Sequence, residues 1–136
     1  MERQIIINHT HSDVDNKIND ILRYFDAIMS LDSTASCTFN LYPEQYDLLK
    51  VIKVFQNPKV KKAKSDANNI TGNEFFAVEI HFSGSQLHNL LQVVMKNELN
   101  ALICYDTIRL CLNDNDGDFF VVNNNDPNYK LIMSLQ

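Results

Sequence analysis

Two spacings of apolar residues alternate along this chain, and together they leave few folds open. Residues 14–29 place Val14, Ile18, Ile21, Leu22, Phe25, Ile28 and Met29 at helical intervals, while Asp15, Lys17, Asp20, Arg23 and Asp26 fall mostly off that stripe. Directly afterwards "ASCTFNL" switches to a period of two. Ala35, Cys37, Phe39 and Leu41 share one face, and Ser36, Thr38 and Asn40 the other. "EFFAVEIHF" repeats the strand period through Phe76, Val78, Ile80 and Phe82; Leu87, Leu90, Leu91 and Val94 return to the helical one. Half-buried strands interleaved with amphipathic helices find one economical arrangement, helices laid on a sheet.

The other segments extend this reading. Ile5, Ile6 and Ile7 are β-branched throughout and predict a short buried strand. Pro43 suits the first turn of a second helix, whose stripe is Leu48, Leu49, Ile52 and Phe55 and whose stop is Asn57–Pro58. Ser83 and Gln86 have capping-box spacing before the third helix, and Ser12 with Asp15 resembles one before the first. Residues 59–72, "KVKKAKSDANNITG", show no apolar period and predict an exposed Lys/Asn-rich loop. Beyond residue 100, "ALICY", "TIRLCL", "DFFVV" and "YKLIMSL" read as four strands joined by short turns, with Asp116–Gly117 as a hairpin signal. The expected fold is one α+β domain over residues 1–136: three amphipathic helices on a mostly antiparallel sheet, ending in a β-meander. With 45% of 136 residues hydrophobic, such a chain buries a core without metal or disulfide staples.

Charge and motif content narrow the function classes. A net charge of −5 opposes non-specific binding to nucleic acid or anionic membrane. No apolar run nears the roughly 18–20 residues of a membrane span, and "MERQIII" lacks a signal-peptide core. Cys37, Cys104 and Cys111 are odd in number, without a C-x-x-C spacing, and lie in strand-like contexts where a thiol acts as a small hydrophobe. A cytoplasmic protein is expected. Neither G-x-G-x-x-G nor a P-loop occurs, so no cofactor is expected.

Three motifs carry candidate chemistry. In "HTHSD", His9, His11 and Asp13 resemble the H-x-H-x-D core of the metallo-β-lactamase-like hydrolases, in which imidazoles two apart at a strand end converge on a metal. That resemblance implies a metal-dependent hydrolase using these three residues. It covers five residues, and Val14 stands where the family motif continues with His. The same letters also describe a helix start, with Ser12 as cap and Asp13 and Asp15 at the positive end of the dipole. The expectation is the helix start, with no metal bound. "LNDNDGDFFVVN" aligns Asp114, Asp116 and Gly117 to positions 3, 5 and 6 of a calcium loop, but Leu112 and Asn123 occupy its first and last ligand positions. A hairpin is expected there. Glu79 and His81 alternate onto one polar strand face, where an acid–base pair and a solvated sheet face are the two readings.

The most informative charge feature is the run of aspartates, Asp106, Asp114, Asp116, Asp118 and Asp126, relieved only by Arg109. Carboxylates concentrated on a firm β scaffold attract a cationic cleft and speed association. The expected function is therefore a protein-binding one rather than an enzymatic one. The chain would be an inhibitor of the immunity-protein or antitoxin type, neutralising a basic partner such as a nuclease toxin through those five aspartates. The alternatives are a structural module that pairs with itself as a homodimer through a strand edge or helix face, and the small metal-dependent hydrolase.

Overall fold

A computed structural model describes residues 1–64 and 74–136. In chain order the elements are β1 (Glu2–Ile6), α1 (Val14–Ile28), β2 (Thr34–Leu41), a 3-10 turn (Pro43–Leu48), α2 (Leu49–Ile52), β3 (Gln56–Lys64) and β4 (Glu74–Ser83). A short 3-10 turn (Gly84–Gln86), α3 (Leu87–Lys96), β5 (Ala101–Tyr105), β6 (Ile108–Asp114), β7 (Gly117–Asn123) and α4 (Pro127–Ser134) follow. The seven strands form one sheet in the order β1-β7-β6-β5-β2-β4-β3, every neighbouring pair antiparallel. The α+β class is as the periodicity predicts, with four helices instead of three.

The period-two segments behave as their patterns require. Cys37, Phe39, Leu41, Val78, Ile80 and Phe82 turn inward from β2 and β4 and are buried. Burial pushes the Cys37 thiol far above its ordinary pKa. Ile18, Ile21, Tyr24 and Phe25 of α1 and Leu90, Leu91 and Val94 of α3 cover that face. The Tyr24 and Phe25 rings lie 5.3 and 6.0 Å from Phe120 of β7, within the range of favourable tilted aromatic pairs. Ser83 and Gln86 form the anticipated capping box, the Ser83 N–H donating to Gln86 Oε1 at 3.0 Å.

Five expectations are corrected. Residues 59–64 are not loop but part of β3, at the sheet edge; residues 65–72 of the expected loop lie outside the described residues. An edge strand meets solvent on both faces, so it carries no apolar period to read. "YKLIMSL" forms most of α4 and not a fourth meander strand, because Asp126 accepts the Asn128 N–H at 2.9 Å as N-cap and Pro127 is preset for the first turn. The second helix shrinks to a 3-10 turn and one α turn. Gln45 folds back to the Tyr42 N–H at 3.1 Å, and Tyr46 stacks on Phe76 at 4.6 Å, so tight turns replace a regular helix. At α1 the cap is Asp13, not Ser12. β1 is also less buried than three isoleucines suggest: Ile5 and Ile7 enter the core, while Ile6 is 47% exposed.

Ile6 is exposed because the helices leave one sheet face bare among the described residues. Strand register sets out rows on that face. One runs Ile6, Phe119, Cys111, Leu102, Thr38, Glu79, Lys59; the next runs Gln4, Val121, Arg109, Cys104, Ser36, His81, Gln56. Cys104 and Cys111 are thus half-buried on the open side and not in the core.

Candidate functional site

Leaving β1, the chain must cross to α1 over the end of the sheet where β6 turns into β7. The Ile7 N–H still donates to the Asp118 carbonyl at 2.9 Å. Two residues on, His9 is held between two carboxylates: Nδ1 lies 2.9 Å from Asp20 Oδ2 of α1, and Nε2 lies 2.6 Å from Asp118 Oδ2 of β7. Each ring nitrogen is thus within hydrogen-bond distance of a different carboxylate. Asp118 is only 6% exposed, and its other oxygen accepts the Asn113 N–H at 2.8 Å. Asn113 has a positive φ of 56° and sits where the β6–β7 register shifts, a conformation that asparagine tolerates better than most residues. Its side-chain amide donates to the Leu99 carbonyl at 2.7 Å. One polar network thereby joins the first loop, α1, the α3–β5 connection and the β6–β7 hairpin.

A groove of about 480 Å³ opens over this network, lined in part by His9, Ser12, Lys17, Glu98, Asp114 and Asp118. Glu98 reaches its rim from the α3–β5 connection and is exposed. Asp114 and Asp116 stand at the hairpin tip, where Asp114 Oδ1 accepts the Asp116 N–H at 3.2 Å. Gly117, with φ of 93°, closes that turn as the Asp-Gly signal implies.

The five aspartates singled out by charge are not one patch. Asp114 lines the groove, Asp116 stands next to it in the hairpin turn, and Asp118 is buried in the groove wall as the partner of His9. Asp106 occupies the β5–β6 turn, and Asp126 caps α4 while accepting the Thr107 hydroxyl. β6 is seven residues long, which places that turn about 20 Å from the hairpin tip. One sequence signal could have separated Asp118 from the rest: in "DFFVV" it alternates with Phe120 and Val122 onto the core face, where a carboxylate needs a partner.

The H-x-H-x-D side chains take separate tasks. His9 bridges two carboxylates, His11 is exposed, and Asp13 caps α1, accepting the Asn16 N–H at 3.2 Å and the Asn16 amide at 2.7 Å. Among the described residues no three His, Cys, Asp or Glu side chains converge as a metal site would require. The side-chain and backbone hydrogen bonds from Asn16 hold the Asp13 carboxyl below its ordinary value of 3.8. A lowered value means that its contribution is complete above 3.8 and disappears as pH falls through the folded-state value. Asp13→Ala should therefore lower the urea midpoint at pH 7, and the difference from wild type should shrink on acidification. A deficit that persists unchanged at pH 2 contradicts the capping role.

Glu79 and His81 do share the open face, with 3.9 Å between Glu79 Oε1 and His81 Nε2. Charge and motif reading missed Asp20 and Asn113. Asp20 gives no signal, because a solvent-facing helical aspartate has the same appearance. Comparison with protein-family models, curated proteins and solved structures finds no match for the chain.

Proposed function

We propose that this chain is a protein-binding module that docks a basic partner at the acidic end of its sheet, inhibiting a basic enzyme in the manner of an immunity protein or antitoxin. The observation that supports this reading is the groove rim. Glu98, from the α3–β5 connection, and Asp114, at the end of β6, line one opening, with Asp116 in the adjoining hairpin turn. The floor beneath is tied by the His9–Asp118–Asn113 network, so the backbone that carries these carboxylates is fixed before any partner arrives. Among the described residues Lys17 is the one lysine or arginine in the lining, and the preplaced carboxylates around it raise the encounter rate with a cationic cleft and penalise wrong partners. The surface is narrower than the aspartate run implies: Asp106 and Asp126 are outside it, and Asp118 serves it from within.

The test begins with a partner captured from the source cells and purified. Its association with the chain should slow as salt rises. The triple change Glu98→Lys, Asp114→Lys, Asp116→Lys should slow association at low salt by roughly tenfold or more, and relieve inhibition of the partner's activity. Reversal of Asp106 and Asp126 should have little effect on either. A rate indifferent to salt and to the triple reversal removes the electrostatic reading.

A further inference from the structure

The other charged feature of the chain has the opposite sign and lies at the opposite side of the sheet. Residues 59–64 hold four lysines and no acid in a chain of net charge −5, and they lie in β3, the terminal strand. β3 pairs with β4 on one side only, so every second residue turns its N–H and C=O outward, with no strand to receive them among the described residues. Register assigns the side chains. Lys59 and Lys61 lie on the open sheet face, opposite Glu79 and Ala77, while Val60 and Lys62 lie on the helix side, opposite Val78 and Phe76. Lys62 is paired with Glu74 at 3.0 Å. Among the described residues no carboxylate is within ion-pair distance of Lys59 or Lys61. Both instead flank a shallow groove of about 470 Å³ on the open face, over Thr38, Ala77 and Leu102. Val60 is 44% exposed.

Lysines, Pro58 and the irregularity between Gln56 and Lys59 are familiar means of keeping a sheet edge from pairing indiscriminately. They act selectively. A second copy of β3 would set lysines against lysines, and like charges facing across strands are destabilising. Glutamates would blunt an edge equally well and would match the acidity of the rest of the chain. Lysine here reverses the local field, and a reversed field rejects a copy of itself while attracting an acidic strand.

We propose that β3 receives an extended acidic segment of a partner protein as an eighth, antiparallel strand. Backbone hydrogen bonds to the outward groups of β3 supply affinity, and alternate side chains supply specificity. The required pattern is acidic, apolar, acidic: carboxylates opposite Lys59 and Lys61 on the open face, and an apolar side chain over Val60 on the other. Four strands separate β3 from β7, so this site stands or falls independently of the acidic groove.

The probe is a fluorescein-labelled nine-residue peptide alternating glutamate and valine. Its control has the same composition, with the glutamates grouped at one end. The full chain should bind the alternating peptide saturably in anisotropy titrations and the grouped one about tenfold more weakly, as two cross-strand ion pairs predict. Lys59→Glu with Lys61→Glu should lose the glutamate peptide and gain an alternating lysine–valine one. Amide exchange in β3 should slow on binding, which attraction of charge alone does not produce. Equal binding of the grouped peptide, unchanged exchange in β3, or no saturable binding each overturns the proposal. A chain that dimerises through β3 and thereby excludes the peptide overturns it in favour of self-pairing.

Discussion

His9→Ala should lower the stability of the fold by about 3 kcal/mol, the upper end of the range found when a buried polar group is left without its hydrogen-bond partner. The side chain is 13% exposed and touches two carboxylates, of which Asp118 is nearly inaccessible. Alanine leaves Asp118 with only the Asn113 N–H and leaves Asp20 without its contact to His9. The loss is thus mainly the cost of a buried carboxyl group left without its partner. Adding Asp118→Asn to His9→Ala should recover part of that cost, because the neutral amide needs no counter-charge, so the two changes should fall short of additivity. Urea unfolding of the single and double variants decides the matter. If His9→Ala unfolds within about 0.5 kcal/mol of wild type, as ordinary surface changes do, the two bridges are not formed in solution. The same loss should loosen the groove rim, since Asp118 and Asn113 hold the hairpin beneath Asp114.

How far the sequence discloses this arrangement depends on the distance over which each feature is determined. The first and third helices and strands β2 and β4 are legible because each buries one face, and burial writes a period into neighbouring residues. The hairpin at Asp116–Gly117 is legible because its turn needs a residue that tolerates positive φ. β3 is not, since its stability comes from backbone pairing with β4 and its side chains meet water on both faces. In α4 the consecutive Leu131, Ile132 and Met133 suit a strand as well as a helix; the cue that decides is local, Asp126 followed by Pro127. The site is least legible of all. His9 is defined by Asp20, 11 positions away, and by Asp118, 109 positions away. Nothing in "HTHSD" indicates that its first histidine will face two carboxylates instead of a metal. The aspartate run misleads for a related reason: alternation and turns distribute adjacent carboxylates to a core face, a hairpin tip and a helix cap.

Gly84→Ala should be at least as damaging as the loss of His9, though it deletes no side chain and adds a single methyl group. Gly84 begins the turn that carries β4 into α3, and here two backbones touch. Its N–H donates to the Ser33 carbonyl at 2.9 Å, and the next N–H, from Ser85, donates to the Leu31 carbonyl at 3.2 Å. A Cβ on Gly84 would clash with the Ser30 carbonyl oxygen and lie 3.0 Å from Leu31 Cα. These neighbours are main chain, so no rotamer change relieves the contact. Either the residues 30–33 connection between α1 and β2 or the start of α3 must move, and each is fixed by burial: Met29 and Ala35 on one side, Leu87 and Leu90 on the other. Overpacking typically costs about 1–3 kcal/mol, and losing both hydrogen bonds adds about 1 kcal/mol each, so about 3–5 kcal/mol is expected. Gly117→Ala is the informative contrast. It has open space around the new methyl, and its penalty is the conformational one of a positive φ, about 1 kcal/mol. Thermal unfolding should therefore rank Gly84→Ala well below Gly117→Ala. The reverse order would mean that the α1–β2 connection does not rest on the start of α3.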